Sequence, residues 1–246
     1  MNSSMIVGEC YRGGNFAVRE VENDRVKLVP FVSSLHADLF FQGSVNHPEL
    51  FRFLPYGPYD SAAEFVEGLI EGFINSDPGA ALYAIIDKTH SFPHSPSPSQ
   101  ADFAGLIGYL NTSTTHLKTE IGCITILPPF QRTHVTTNAV GLLMEYALNS
   151  PSFSGLGLRR VQWQANELNF QSVQTAERMG FKREGTLRWD RVLPSDKGKP
   201  GNSTQSRAGD PKSDCVGRHT AILAICWDDW ENGGREEVLR LMARRK

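Results

Sequence analysis

Glu120-Ile-Gly-Cys-Ile-Thr-Ile-Leu-Pro128 leads straight into Pro129-Phe-Gln-Arg-Thr-His-Val-Thr-Thr-Asn-Ala139, and this junction decides the fold. The first part reads as an apolar strand. The second opens an amphipathic helix from about Val135 to Leu148, with Ala139, Leu142, Leu143, Tyr146 and Ala147 on one face. The first-turn N–H groups of such a helix have no partner within it. Together with the positive end of the helix dipole they attract anions, so a pyrophosphate needs no large basic patch here. The plain alternative is an ordinary strand-to-helix turn, since the segment lacks the glycines that permit close backbone approach.

Outward from this junction, Leu82–Asp87, Phe103–Asn111 and Thr119–Leu127 predict three consecutive strands in an antiparallel meander. Before them, Val26–Pro30 predicts a short strand, and Ser34–Asn46 and Ser61–Phe73 predict helices, the second with Phe65, Leu69 and Phe73 at four-residue spacing. After the junction come a strand at Arg160–Gln164, a helix from Asn169 to Met179 stopped by Gly180, and strands at Thr186–Leu193 and His219–Trp227. The order is β-αα-βββ-α-β-α-ββ, an α/β fold of about seven strands and about four helices. Two stretches interrupt it. Residues 88–102 hold a Pro/Ser-rich run, and residues 194–215 carry almost no large apolar side chain, so both predict inserted flexible hairpin loops. Residues 1–20 read as an N-terminal extension and 231–246 as a C-terminal helix of a single domain spanning 1–246.

Composition narrows the function classes. Among 246 residues, 25 Lys and Arg against 27 Asp and Glu leave a formal charge of −2, which excludes the basic excess of a phosphate-backbone binder. No apolar run approaches the roughly 20 residues of a membrane-spanning helix, and Met1 to Gly14 lacks the pattern of a secretory signal. A cytoplasmic protein without nucleic-acid or membrane partners is expected. Cys10, Cys123, Cys215 and Cys226 are scattered and read as free thiols, and His36, His47, His116 and His219 share no ligand spacing, so no metal is assigned. Trp189, Trp227 and Trp230 read as packing residues.

Four stretches then point to a family. They are Phe51-Arg-Phe-Leu-Pro-Tyr-Gly-Pro58, the run from Glu120 through Ala139, Asn169-Phe-Gln-Ser172, and Met179-Gly-Phe-Lys-Arg-Glu-Gly-Thr-Leu-Arg188. In this order and spacing they resemble the GNAT-superfamily N-acetyltransferases, and within them the subgroup of ribosomal-protein N-terminal acetyltransferases and its fungal small-protein relatives. The resemblance implies a mixed, mostly antiparallel GNAT sheet splayed at its centre. It implies acetyl-CoA as cosubstrate, with pantetheine between the strands at Glu120–Leu127 and Arg160–Gln164. On this resemblance Thr125, Ile126 and Leu127 offer backbone groups to pantetheine, while Gln131, Arg132, Thr133, His134, Val135, Thr136 and Thr137 form the pyrophosphate loop. The family motif has glycine at the positions of His134 and glycine or alanine at Thr136, so this sequence departs at both.

Asn169 matches the family asparagine that contacts pantetheine, and Ser172 shares its face; helix capping is the alternative for both. The family's general-acid tyrosine falls on Ala176, so Ser172 is the candidate replacement. Glu120, at the head of the apolar strand, is the candidate base for deprotonating an amine, against the alternative of a solvated strand-end carboxylate. A strand N–H, of Ile124 or Thr125, would hold the oxyanion. Strand alternation places Cys123 opposite its even-numbered neighbours, in packing. Phe53, Tyr56 and Tyr59 are candidate acceptor-lining residues, or a turn packed under the second helix. The acceptor is an amine of a small molecule or a protein N-terminus or lysine, and a homodimer through the last strands is a family habit. A non-catalytic CoA-binding or protein-interaction module with the same fold is the competing reading, motivated by Ala176, His134 and Thr136.

Overall fold

A computed structural model describes residues 16–89, 102–194 and 198–245. Cys10, the start of the N-terminal extension and residues 90–101 of the first loop lie outside them. Eight strands form one sheet: β1 Val21–Glu22, β2 Val26–Pro30, β3 Ala81–Asp87, β4 Phe103–Ser113, β5 Lys118–Ile126, β6 Arg160–Asn166, β7 Lys182–Pro194 and β8 Cys215–Cys226. Their order is β1-β2-β3-β4-β5-β6-β8-β7. The eighth strand, beyond the seven expected, is the two-residue β1, which pairs with β2 through Val21 and Leu28.

Every neighbouring pair is antiparallel except β5 and β6, which run parallel and pair only over Lys118 to Glu120 with Arg160 to Gln162. Beyond Glu120 the two strands part. β5 continues against β4, and β6 continues against β8 as far as Asn166. The sheet is therefore splayed at its centre, and Glu120 stands at the fork.

Helices cover both faces. α1 (Ser33–Ser44) and α2 (Ala62–Phe65) pack on one, α2 running on into a π-wound stretch, Val66–Ile74, in which Asn75 N–H reaches the Ile70 carbonyl. Ser61 caps α2 by accepting the Glu64 amide at 3.1 Å. This layer closes on an aromatic cluster, with the Phe40 and Phe65 rings 4.6 Å apart and Phe31, Phe51 and Tyr59 set edge-on around it. α3 (Val135–Leu148) lies on the other face, where Leu143 O accepts the buried Tyr109 hydroxyl. α4 (Phe170–Arg178) packs on β6, β7 and β8.

The C-terminal helix begins earlier than expected, as α5 (Trp227–Asp229), and is interrupted at Asn232 and Gly233 before α6 (Arg235–Met242). Gly233 takes φ +103°, a conformation glycine adopts without strain. Met242 of α6 then packs against Gly141 of α3. The second predicted loop spans its expected bounds but is more firmly held than its composition suggests. β7 and β8 extend to Pro194 and Cys215, and Lys199 is buried to 6 % exposure. Its ammonium donates to the carbonyls of Phe51, Tyr56 and Gly57 at 2.8, 2.8 and 2.7 Å.

Candidate active site

β5 is bulged on the way from the fork to the helix. The register with β4 slips by one residue between the pairs Gly108–Gly122 and Leu106–Thr125, and Cys123 sits at φ +52°. The extra residue overturns the expected alternation. Glu120, Cys123 and Thr125 come to one face, the face of α1 and α2, and the Tyr56 hydroxyl lies against Cys123 and Thr125. That hydroxyl is buried and meets no acceptor in hydrogen-bonding geometry.

Glu120 is 4 % exposed, which replaces the solvated strand-end reading with that of a carboxylate held in the sheet. Burial raises its pKa, while the Asn111 amide, which donates to Oε2 at 3.1 Å, and the guanidinium groups of Arg191 and Arg218 oppose the rise. Cys123 is buried beside it, and its thiol is pushed up to about 12 by desolvation. A thiol of that pKa stays protonated and does not serve as a nucleophile.

Past the bulge, backbone directions distinguish the three residues expected to line pantetheine. Leu127 N–H donates to Ala104 O at 2.9 Å. A Cβ built on Gly105, which has φ +138°, would lie 2.0 Å from the Thr125 carbonyl. Thr125 and Leu127 therefore turn their backbone groups toward β4, which corrects their assignment as pantetheine partners and that of the Thr125 amide to the oxyanion. By alternation Ile124 and Ile126 face the open side. The Ile126 carbonyl there accepts the Gln131 amide at 2.9 Å, so the Gln131 side chain ties the strand end and does not reach for phosphate.

The loop behaves similarly. His134 turns Nε2 toward the buried carboxylate of Asp87, 3.2 Å away, which removes its ring from the helix end where a phosphate donor was expected. Thr133 Oγ1 donates to Phe130 O at 2.6 Å. Val135 is fully buried and Arg132, exposed, takes φ +60°. What the loop leaves open are amides. His134 at the N-cap of α3 makes no side-chain cap, and among the described residues the N–H groups of Thr133, His134, Thr136 and Thr137 meet no acceptor. Such a donor set fits a pyrophosphate without the missing glycines.

Asn169 caps α4, its side-chain oxygen accepting the Ser172 amide at 3.1 Å. Ser172 Oγ in turn accepts the Trp163 indole N–H at 3.0 Å, so its own proton is left to donate. Ala176 is fully buried, leaving no hydroxyl at the position of the family tyrosine.

The acceptor-side residues divide. Tyr56 reaches the Glu120 face, Tyr59 is packed in the aromatic core with its hydroxyl buried, and Phe53 is half-buried with the Arg52 guanidinium 5.3 Å from its ring. Sequence reasoning missed Asn111, Arg191, Arg218 and Lys199. Only the strand parity of Arg218 carried a signal: it falls on the same alternate positions of β8 as Thr220, Ile222 and Ala224. Elsewhere Cys226, Asp228 and Asp229 gather at the end of β8, but the Asp229 carboxylate is engaged by Lys182 and the Cys226 amide. Among the described residues no helix is long and apolar enough to cross a membrane.

Comparison with known proteins agrees with this geometry. Residues 25–182 match the family model of the acetyltransferase (GNAT) domain. A probable acetyltransferase of the GNAT family from Chromobacterium violaceum shares 24 % identity over 94 % of this chain and 97 % of its own, with a TM-score of 0.69. A GCN5-related N-acetyltransferase from Brucella melitensis shares 24 % over 92 % and 87 %, at 0.71. A spermidine N-acetyltransferase from Vibrio cholerae, solved with CoA and spermine, shares 17 % over 85 % and 100 %, at 0.57. No curated protein sequence matches. With its family model covering most of the chain, its sheet forked at Glu120 and unpaired amides at the start of α3, the protein belongs to the GNAT acetyltransferases and uses acetyl-CoA as its cosubstrate.

Proposed function

We propose that the chain acetylates a primary amine by direct attack within a ternary complex, with Glu120 as the general base. The observation that carries this reading is a buried carboxylate of raised pKa at the point where β5 and β6 part. Acetyl-CoA supplies an activated thioester carbonyl. Glu120 takes a proton from the ammonium or attacking amine, and the Ile124 N–H on the open edge of β5 holds the carbonyl oxygen as negative charge gathers there. Ser172, fixed by Trp163 and by the cap on Asn169, gives its proton to the departing sulfur and regains one from water. The amides of Thr133, His134, Thr136 and Thr137 hold the pyrophosphate. Asn169 binds pantetheine through the part of its side chain that does not cap the helix.

Within this reading, the likeness to the ribosomal-protein acetyltransferase subgroup rests on the Phe51–Pro58 stretch and the Asn169 to Arg188 motifs and extends to the sequence pattern, not to the acceptor. A homodimer is supported by the outer strand β7, where Leu187, Trp189 and Val192 are 48, 50 and 53 % exposed. A cytoplasmic setting is supported by the free thiols of Cys123 and Cys226.

The test is calorimetry with acetyl-CoA, followed by amine turnover in wild type and Glu120→Gln. The variant should bind acetyl-CoA unchanged and lose on the order of 10²–10⁴-fold in kcat. Unchanged kcat would remove Glu120 from the mechanism; no binding of acetyl-CoA would remove the mechanism itself.

A further inference from the structure

The face of the sheet that carries Glu120 also carries two arginines. Glu120 pairs with Gln162 of β6, and Gln162 pairs with Ala224 of β8. Counting by twos along β8 from Ala224 gives Ile222, Thr220 and Arg218, all on the same face. Arg218 is paired across the hairpin with Arg191 of β7. Both guanidinium groups are near enough to Glu120 to act on its charge, and Arg191 also acts on Cys123.

Among the described residues each arginine keeps a buried Nε without a hydrogen-bond acceptor, although Arg191 is ion-paired with Asp190. Arg218 is 5 % exposed, and its Nε has no hydrogen-bond acceptor among the described residues. The Nε of Arg191 is likewise buried without one; its nearest carboxylate oxygen is Asp190 Oδ2, 3.4 Å away. That oxygen already accepts the Thr220 hydroxyl at 2.7 Å, and Glu120 Oε2 accepts Asn111. A desolvated guanidinium with an idle donor is costly unless an anion completes it. Guanidinium forks match carboxylate and phosphate oxygens in planar, paired hydrogen bonds.

We propose that the acceptor of this enzyme is an amine that also bears an anionic group, a carboxylate or phosphate, which Arg218 and Arg191 bind while the amine meets Glu120. The proposal rests on the acetyl-transfer reading above and specifies its substrate class. It places the amine and the anion of one small molecule on one face of the sheet, under the strap that Lys199 ties across Phe51, Tyr56 and Gly57. Asp190 and Glu120 balance the two guanidinium charges on this face, so the preference comes from the paired hydrogen bonds that an anion makes with the arginines and not from net charge.

The test measures acetyl transfer to matched amines in wild type, Arg218→Gln and Arg191→Gln, with thermal midpoints to verify folding. The panel comprises the common amino acids, their carboxamides, phosphoethanolamine, ethanolamine, tripeptide amides and spermidine. Calorimetry of the best amine against CoA-saturated protein gives a readout independent of turnover. Anionic amines should exceed their neutral partners by about tenfold or more in kcat/KM, and each arginine variant should erase that preference through KM. The amino acids against phosphoethanolamine separate the two anion types. Arg191, half-exposed, serves if Arg218→Gln fails to fold. Equal or better use of carboxamides, tripeptide amides or spermidine, or variants that slow all amines alike, would overturn the proposal and leave acetyl transfer standing. Binding of acetyl-CoA with no amine acetylated would overturn both.

Discussion

Glu120 and Cys123, three residues apart on β5, face the same side of the sheet because the bulge at Cys123, with φ +52°, adds one residue between them. The thiol thus lies near the candidate base without being part of the chemistry, since burial lifts its pKa to about 12. Cys215 and Cys226 are only partly buried. Iodoacetamide at pH 8 should therefore label Cys215 and Cys226 well before Cys123, as peptide mass mapping would show. Cys123→Ala should keep its turnover with acetyl-CoA, and a collapse of kcat in that variant would give the thiol a role denied to it here.

Glu120 determines the acid side of the pH profile. A general base works only when deprotonated, and burial raises the pKa of this carboxyl above the usual carboxyl value of 4.5. The acid limb of kcat/KM should accordingly lie at higher pH than an ordinary carboxylate would place it, with activity rising as pH passes the raised pKa. Asn111→Ala removes the hydrogen bond to Oε2 that opposes the rise, so it should move the limb to still higher pH. Steady-state rates from pH 4.5 to 9 on both proteins decide this; a limb that stays put in Asn111→Ala refutes the assignment.

The central fold was readable because its signals are local. The meander, the strand-to-helix junction and the Asn169 cap each follow from a few adjacent residues, and all stand where the sequence placed them. The bulge was not readable. Gly122-Cys-Ile gives no sign of an extra residue, and one residue is enough to turn Cys123 to the other face. The Arg191–Arg218 pair and the Lys199 clamp depend on strand register and on contacts between segments about 140 residues apart in the chain, which no window of sequence encodes. Polar composition around Lys199 suggested a free loop, because composition reports the absence of apolar burial and is blind to a lysine that satisfies backbone carbonyls.

Lys199 makes its own prediction. Three carbonyls share one ammonium, and removing it leaves them buried with one partner fewer each. Lys199→Met should lower stability by about 3 kcal/mol. It should also raise KM for the amine more than KM for acetyl-CoA, since Tyr56 loses the contact that holds its backbone beside Cys123 and Thr125. Denaturant unfolding with a two-substrate kinetic analysis measures both. Equal effects on the two KM values would reduce the clamp to a stability element remote from the acceptor.

His36 supplies a stability test independent of catalysis. It is 2 % exposed on the buried side of α1, and its Nδ1 accepts the Val32 amide at 2.9 Å, a bond that protonation would break. Burial pulls its pKa from 6.5 to about 4. An unfolded chain takes up a proton as pH falls through 6.5 while the folded chain refuses it until about 4. Below 6.5 the unfolded state therefore binds more protons, and stability falls with pH across that window and levels off beneath it. The loss amounts to about 3 kcal/mol. Glu120 acts with the opposite sign, because its folded pKa is raised: its contribution is fully present at low pH and declines as pH climbs through that pKa. The His36 slope should thus be cleanest in a Glu120→Gln background. There, urea midpoints from pH 7 to 4 should drop steeply with His36 present and stay nearly flat in His36→Asn, whose side-chain oxygen keeps an acceptor for the Val32 amide without titrating. Parallel curves for the two proteins would assign the acid sensitivity to other groups.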